Sequence, residues 1–372
     1  MHLYIHVPFC ARRCSYCDFA IAVRRTVPSA NFAEAVLREW ATWQGHPAWA
    51  DAPEVQTIYF GGGTPSRLDP SAIGRIIQQF RLDRPVAGGA EVTLEANPDD
   101  VTPASVAAWR RAGVNRVSLG VQSFDPAVLA WMHRSHRAEQ VPQAVHTIRG
   151  AGIDEISLDL IFALPSTLRP RFADDLAAAL ALEPEHISLY GLTVEPGTPL
   201  GRWTERGEVV PAAEERYAEE FLAAHHALGS AGYEHYEVSN AARPGYRARH
   251  NSAYWRRAPY IGLGPSAHSG FGRERRWNLR DWAAYERAAA AGADLVAGRE
   301  ELDDAAIRLE ELYLGLRTAD GIPAHLLPAD DAATWQSHGW ASVADGRLRL
   351  TPEGWLRLDA LVAGTVPSPR SA

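Results

Sequence analysis

The first twenty residues, MHLYIHVPFCARRCSYCDFA (1–20), set the terms for reading the chain. LYIHV (3–7) is a short apolar strand, and the loop after it carries Cys10, Cys14 and Cys17, all the cysteines of a 372-residue chain. Working outward, the same strand-then-loop unit recurs. The first crossover is the helical NFAEAVLREWATW (31–43), with Asn31 as its expected N-cap. VQTIYF (55–60) precedes GGGTPS (61–66) and the helical SAIGRIIQQF (71–80). EVTLEA (91–96) precedes the helix PASVAAWRRAG (103–113), where Gly113 is a C-terminal stop. NRVSLGVQ (115–122) leads to VLAWMHR (128–134) and VPQAVHTIRGAG (141–152). EISLDLIF (155–162) precedes RFADDLAAALAL (171–182), and HISLYGL (186–192) closes the series. Six strands joined by helical crossovers at a period of roughly 30 residues mean βαβ units and a parallel sheet. Such a sheet is either open and doubly wound or an incomplete (β/α) barrel.

After residue 200 the rhythm changes. A helix is expected over 214–233, then a strand at YEHYEV (233–238) and an irregular, arginine- and glycine-rich stretch to about 277. Helical patterns return at 282–291 and 304–317, followed by a hairpin at Asp345-Gly346 and a last helix at 352–363. The expected domains are therefore 1–205, an α/β core, and 206–372, a smaller mixed α+β and helical half.

Composition narrows the chemistry. All 37 basic residues are arginine. Without lysine, neither a pyridoxal-phosphate Schiff base nor a P-loop lysine can be built. A net charge of -8 argues against a nucleic-acid footprint over the whole molecule. No apolar run reaches the ~20 residues of a membrane span, and no basic-then-apolar leader is visible. Three cysteines, too few for a disulfide framework, suit a reducing cytoplasm.

The cysteine spacing is C-x3-C-x2-C. Three thiolates on so short a loop can wrap one inorganic centre. Structural zinc usually takes four ligands, so His2 or His6 would have to complete such a site. A [4Fe–4S] cluster is also normally held by four thiolates; with three, one iron stays open to another ligand. Three buried structural cysteines are the bland alternative. Polar residues also collect where the strands end, which is where parallel α/β folds bind ligands. The glycine triplet follows strand two, Glu95 ends strand three, Gln122 ends strand four, Asp159 lies late in strand five, and Tyr190-Gly191 ends strand six. Buried carboxylates such as Glu95 and Asp159 need a cationic or hydrogen-bonding partner.

YIHVPFCARRCSYCDF resembles the opening of radical S-adenosylmethionine (SAM) proteins, and the later loops match that superfamily in order over roughly residues 3–200. The resemblance implies a partial (β/α)6 barrel with a [4Fe–4S] cluster on Cys10, Cys14 and Cys17, and SAM on the open iron. It assigns Gly62, Gly63, Thr64 and Glu95 to the methionyl amino end, Gln122 and Asp159 to the ribose, and Arg134 to the carboxylate. Tyr16, Ile161 and Gly191 fall beside the adenine, and Tyr4 near the cofactor.

Within the superfamily the chain is similar to the oxygen-independent coproporphyrinogen III oxidase group. The oxidases carry a fourth cysteine where this chain has Phe19, and an extension ahead of the first strand that is not expected here. HNSAYW (250–255) matches the HN-x-x-YW mark of the haem-chaperone branch, which implies haem binding by His250, Asn251, Tyr254 and Trp255, with His268 a second candidate. Residues 243–277 hold eight arginines, one acid and six aromatics, which suits propionates and a macrocycle. Stacking on nucleic acid and a purely structural His250 are the competing readings. The expected function is a cytoplasmic haem chaperone that delivers haem to haem proteins. The family adds respiratory recipients and loose membrane association. The alternative is the oxidase reaction, oxidative decarboxylation of propionates.

Overall fold

A computed structural model describes residues 1–50, 52–168 and 171–365. The six expected strands are present: β1 (His2–Val7), β2 (Val55–Gly62), β3 (Val86–Ala96), β4 (Arg116–Gln122), β5 (Glu155–Phe162) and β6 (His186–Gly191). Neighbours in this series pair in parallel, so the core is the partial barrel rather than an open doubly wound sheet. The strands carry their large apolar side chains mainly on one face. Leu3, Ile5, Ile58, Phe60, Val92 and Leu94 are fully buried and join one apolar core with helix residues such as Ile73, Ile77 and Trp109. The other face is polar, and the register sets Tyr4 beside Tyr59, His6 beside Gly61, Glu95 beside Ser118 and Asp159 beside Ser188. A half-barrel lined by polar side chains cannot close on itself as an apolar core. It is built to surround polar ligands.

Local signals explain the helices. Asp69 caps Pro70–Asp83, and Thr102 and Ser105 form a reciprocal capping box on Pro103–Ala112. Gly113 stops that helix in the left-handed conformation at φ 106°. Asn31 is not the N-cap expected of it. The helix starts two residues earlier, at Ser29 behind Pro28, and the Asn31 amide instead donates to Glu286 at 2.9 Å.

The stretch read as irregular up to residue 277 proves to be ordered. It contains β8 to β11 with a helix, after β7 (Glu234–Glu237): β8 (Asn240–Ala242), the helix Arg249–Trp255, β9 (Tyr260–Leu263), β10 (His268–Phe271) and β11 (Glu274–Asn278). With β12 (Val296–Glu301) these extend one continuous sheet in the order β12-β11-β10-β9-β1-β2-β3-β4-β5-β6-β8-β7. β9 runs parallel to β1, and β8 antiparallel to β6. The connection 243–259 therefore passes from the β6 side of the half-barrel to the β1 side, carrying HNSAYW with it. A boundary near residue 205 coincides with no break in this sheet. The Asp345-Gly346 hairpin forms with both residues at positive φ, 52° and 70°. The last expected helix is broken into Pro352–Trp355 and Leu358–Thr365.

Candidate metal and cofactor site

The cysteine loop leaves β1 and is tied down along its length. Phe9–Cys10 pairs with Ala22–Val23, closing its base. Ser15 donates its N–H to Met132 O at 3.3 Å and accepts the Leu200 N–H at 2.8 Å. His6 Nε2 meets Ala20 O at 3.0 Å, while its Nδ1 meets the Tyr4 hydroxyl at 3.1 Å. The thiols thus sit on a fixed frame at the carboxyl ends of the strands. Burial pushes the Cys10 thiol up and the Cys17 thiol up to about 11. Thr64 donates to Cys10 Sγ at 3.5 Å, and Arg134 Nη1 donates to Cys14 Sγ at 3.7 Å.

The three cysteines line a cavity of about 410 Å³, within the usual range for a small-molecule site. Its wall also includes Tyr16, Gly62, Gly63, Thr64, Glu95 and Gln122, and then Arg134, Asp159, Ile161 and Gly191. Residues far apart in sequence therefore meet on one surface.

Glycine is required at 62 for two reasons. Its φ is 111°, and a Cβ there would stand 2.6 Å from the His6 ring. Gly62 N–H donates to Glu95 Oε2 at 3.0 Å, and the Tyr59 hydroxyl donates to Oε1 at 2.8 Å. Asp159 accepts from Ser118 Oγ at 3.0 Å. These partners are hydroxyls and an amide, so burial dominates and raises Glu95 to about 7 and Asp159 to about 6. Arg134 donates to Asn97 Oδ1 and Gly120 O, both at 2.7 Å, yet its buried Nε has no partner. Gln122 holds a left-handed φ of 67°, a strained conformation beside the cavity. Tyr16 packs on an apolar patch of Val128, Met132, Ile161 and Leu164, a flat platform.

These residues fit a cluster with a zwitterionic ligand. Among the described residues, no three His, Cys, Asp or Glu side chains gather tightly enough for a single ion. A cubane, in which each thiolate takes its own iron, makes no such demand.

Tyr4 lies on the wall of an adjoining cavity of about 590 Å³, which shares Gly62 with the thiol-lined one. One expectation needs correction. His250 does not offer an open nitrogen. It is 1% exposed, with Nδ1 at 2.6 Å from Thr57 Oγ1 and Nε2 at 2.8 Å from the Tyr254 hydroxyl. Its ring stacks on Tyr59 at 5.0 Å, and burial holds its pKa down to about 3. Glu91 fixes this seat, accepting the Arg249 and His250 N–H groups, each at 2.9 Å. Tyr254 lines the larger cavity, whereas Trp255 lies under the Arg317 guanidinium at 4.4 Å and half-buried Asn251 is on neither wall.

Tyr59, Asn97 and the serines around Asp159 escaped the sequence reading. Their signal was the polar half of the strand alternation, Tyr59 on β2 and Ser118 on β4 among them.

Comparison with known proteins agrees with this geometry. The family described as Radical SAM superfamily matches residues 4–179. The protein named heme chaperone HemW of Mycobacterium tuberculosis H37Rv is 36% identical, over 97% of this chain and 93% of that one. The protein of that name from Escherichia coli K12 is 39% identical, over 72% of this chain and 69% of its own. The solved structure of coproporphyrinogen III oxidase from Escherichia coli superposes with a TM-score of 0.80 at 20% identity, covering 97% and 88% of the two chains, which establishes the shared fold. This chain belongs to the radical SAM superfamily and, within it, to the HemW family.

Proposed function

We propose that this chain is a cytoplasmic haem chaperone, one that holds a [4Fe–4S] cluster and SAM and passes haem to haem proteins. One observation carries the reading. Likeness to proteins named heme chaperone HemW runs over 97% of this chain, so it includes the arginine-rich half beside the larger cavity as well as the cysteine loop. Respiratory haem proteins as recipients, and loose contact with a membrane, belong to the same proposal. Among the described residues no helix is long and apolar enough to cross a membrane.

Cys10, Cys14 and Cys17 would hold the cluster, which with SAM supplies one-electron chemistry when bound. Gly62, Gly63, Thr64 and Glu95 would receive the amino end of SAM, and Arg134, whose buried Nε has no partner, would pair with its carboxylate. Gln122 and Asp159 would take the ribose hydroxyls, with Tyr16, Ile161 and Gly191 around the adenine. This arrangement makes SAM binding pH-dependent. Glu95, raised to about 7, is protonated below that value and must ionise to meet the ammonium. Affinity is thus full from about a unit above pH 7 and falls as pH drops through that value, by up to about tenfold per unit. SAM titrations across that window check this, and tighter binding at the acid end would contradict it.

The oxidase reaction is separated from the chaperone reading by a product assay. Anaerobic incubation with coproporphyrinogen, SAM and reductant should leave the tetrapyrrole unchanged, while haem titration of the same sample should shift the Soret band. Protoporphyrinogen accumulating over many turnovers would replace the chaperone reading by the oxidase.

A further inference from the structure

The larger cavity, about 590 Å³, adjoins the thiol-lined one and shares Asp18, Phe19 and Gly62 with it. Its wall has a composition of its own. Tyr254 and Tyr260 meet edge to face at 4.7 Å, and with Tyr4 and Phe19 they give flat apolar surface. Phe19 is 56% exposed, so a large apolar ring faces open space where the two cavities meet. An aromatic-lined cavity of this size can take a flat macrocycle.

Two histidines lie on this wall, and they differ in what their nitrogens do. Both nitrogens of His6 are committed, to the Tyr4 hydroxyl and to Ala20 O. His268, exposed at the start of β10, has no hydrogen-bond partner for its ring among the described residues. It is nonetheless held in place, because Trp277, its register partner on β11, stacks on it at 5.9 Å. His250, in contrast, is spent on Thr57 and Tyr254.

The cations sort in the same way. Arg257 and Arg275 are tied to Glu310 at 2.6 and 2.5 Å. Arg280, exposed at the rim, makes a single hydrogen bond, to Asp18 O at 3.2 Å, and keeps donors for a carboxylate.

We infer that His268 is the axial ligand of bound haem and that Arg280 takes a haem propionate at the mouth of the larger cavity. His250 then serves the same site from behind, fixing the Tyr254 ring in its wall. The inference rests on the haem-chaperone reading and locates its cargo.

The test is an anaerobic haem titration, followed by absorption and by EPR of the ferric form, on cluster-reconstituted wild type, His268→Ala, Arg280→Ala and His250→Gln. Wild type should bind haem with an imidazole-type spectrum. His268→Ala should lose that spectrum and bind about 10–100-fold more weakly, and added imidazole should restore the spectrum. Arg280→Ala should weaken binding with the spectrum unchanged, and His250→Gln should keep the axial signature. The exposed His268 can be removed without opening the core, and cluster absorbance together with thermal unfolding confirms the fold of each variant. A folded His268→Ala with wild-type spectrum and affinity would overturn the inference while leaving the chaperone reading intact. A wild-type protein that takes up no haem would overturn both.

Discussion

Cys14→Ala, purified and reconstituted without oxygen, should hold almost no iron, where wild type treated in parallel should hold about four irons per chain. The reason lies in the number of anchors. Three thiolates are already one fewer than such a cluster normally has, so losing another leaves two of its four irons without protein ligands. The same change should cost the apoprotein little. Cys14 is only half-buried and faces the cavity, and the loop around it is held by backbone bonds at Ser15, Ala22 and Arg24 rather than by the thiol. Iron and sulfide content should therefore collapse while the unfolding midpoint of the apoprotein hardly moves, which separates lost ligation from misfolding. Cys10→Ala and Cys17→Ala should lose iron in the same way. A Cys14→Ala protein that retained a full complement of iron would mean that this loop does not carry the cluster.

Glu91→Ala should be the most damaging single truncation away from the cavities, at about 3 kcal/mol or more. Glu91 is 2% exposed and accepts the N–H groups of Arg249 and His250, with the buried Arg116 guanidinium 3.9 Å away. Its removal orphans two amide donors and takes a counter-charge from Arg116, which keeps Glu155 at 3.0 Å. The loss should appear as a fall of about 5 °C or more in the unfolding midpoint. Glu91→Gln, which keeps an acceptor without the charge, should recover part of it. Because the same carboxylate seats His250, the variant should also loosen the Tyr254 wall and weaken haem binding. A midpoint within a degree of wild type would show that the HNSAYW helix is held from elsewhere.

How far the sequence speaks for itself depends on where the information lies. The barrel strands could be read because each is a run of buried outer-face residues, such as Ile58 and Phe60, bounded by glycine, proline or a capping residue. The cysteine loop, the glycine triplet, Glu95 and Asp159 were legible because their chemistry is anomalous at the ends of apolar strands. β10 and β11 were not, because HSGF and ERRWN mix half-buried arginine with small residues and show no clean period of two. Their order comes from pairing outward from β1 through β9, a contact spanning some 250 positions that no local window contains. His250 failed for a related reason. Its residue type suits a metal, but its burial is decided by Thr57 and Glu91, each more than 150 positions away. The polar line of Tyr59, Ser118 and Ser157 went unread because each of these residues, taken alone, is ordinary in a strand, and only the register sets them on one face.

The proposal that SAM coordinates the one iron no cysteine would hold is tested most directly by EPR of the reduced, reconstituted protein before and after SAM is added. The expected result is a cluster signal whose g-values change on addition of SAM and change much less in Arg134→Ala, where the carboxylate has lost its partner. A reduced cluster whose spectrum is the same with and without saturating SAM would contradict the site described here.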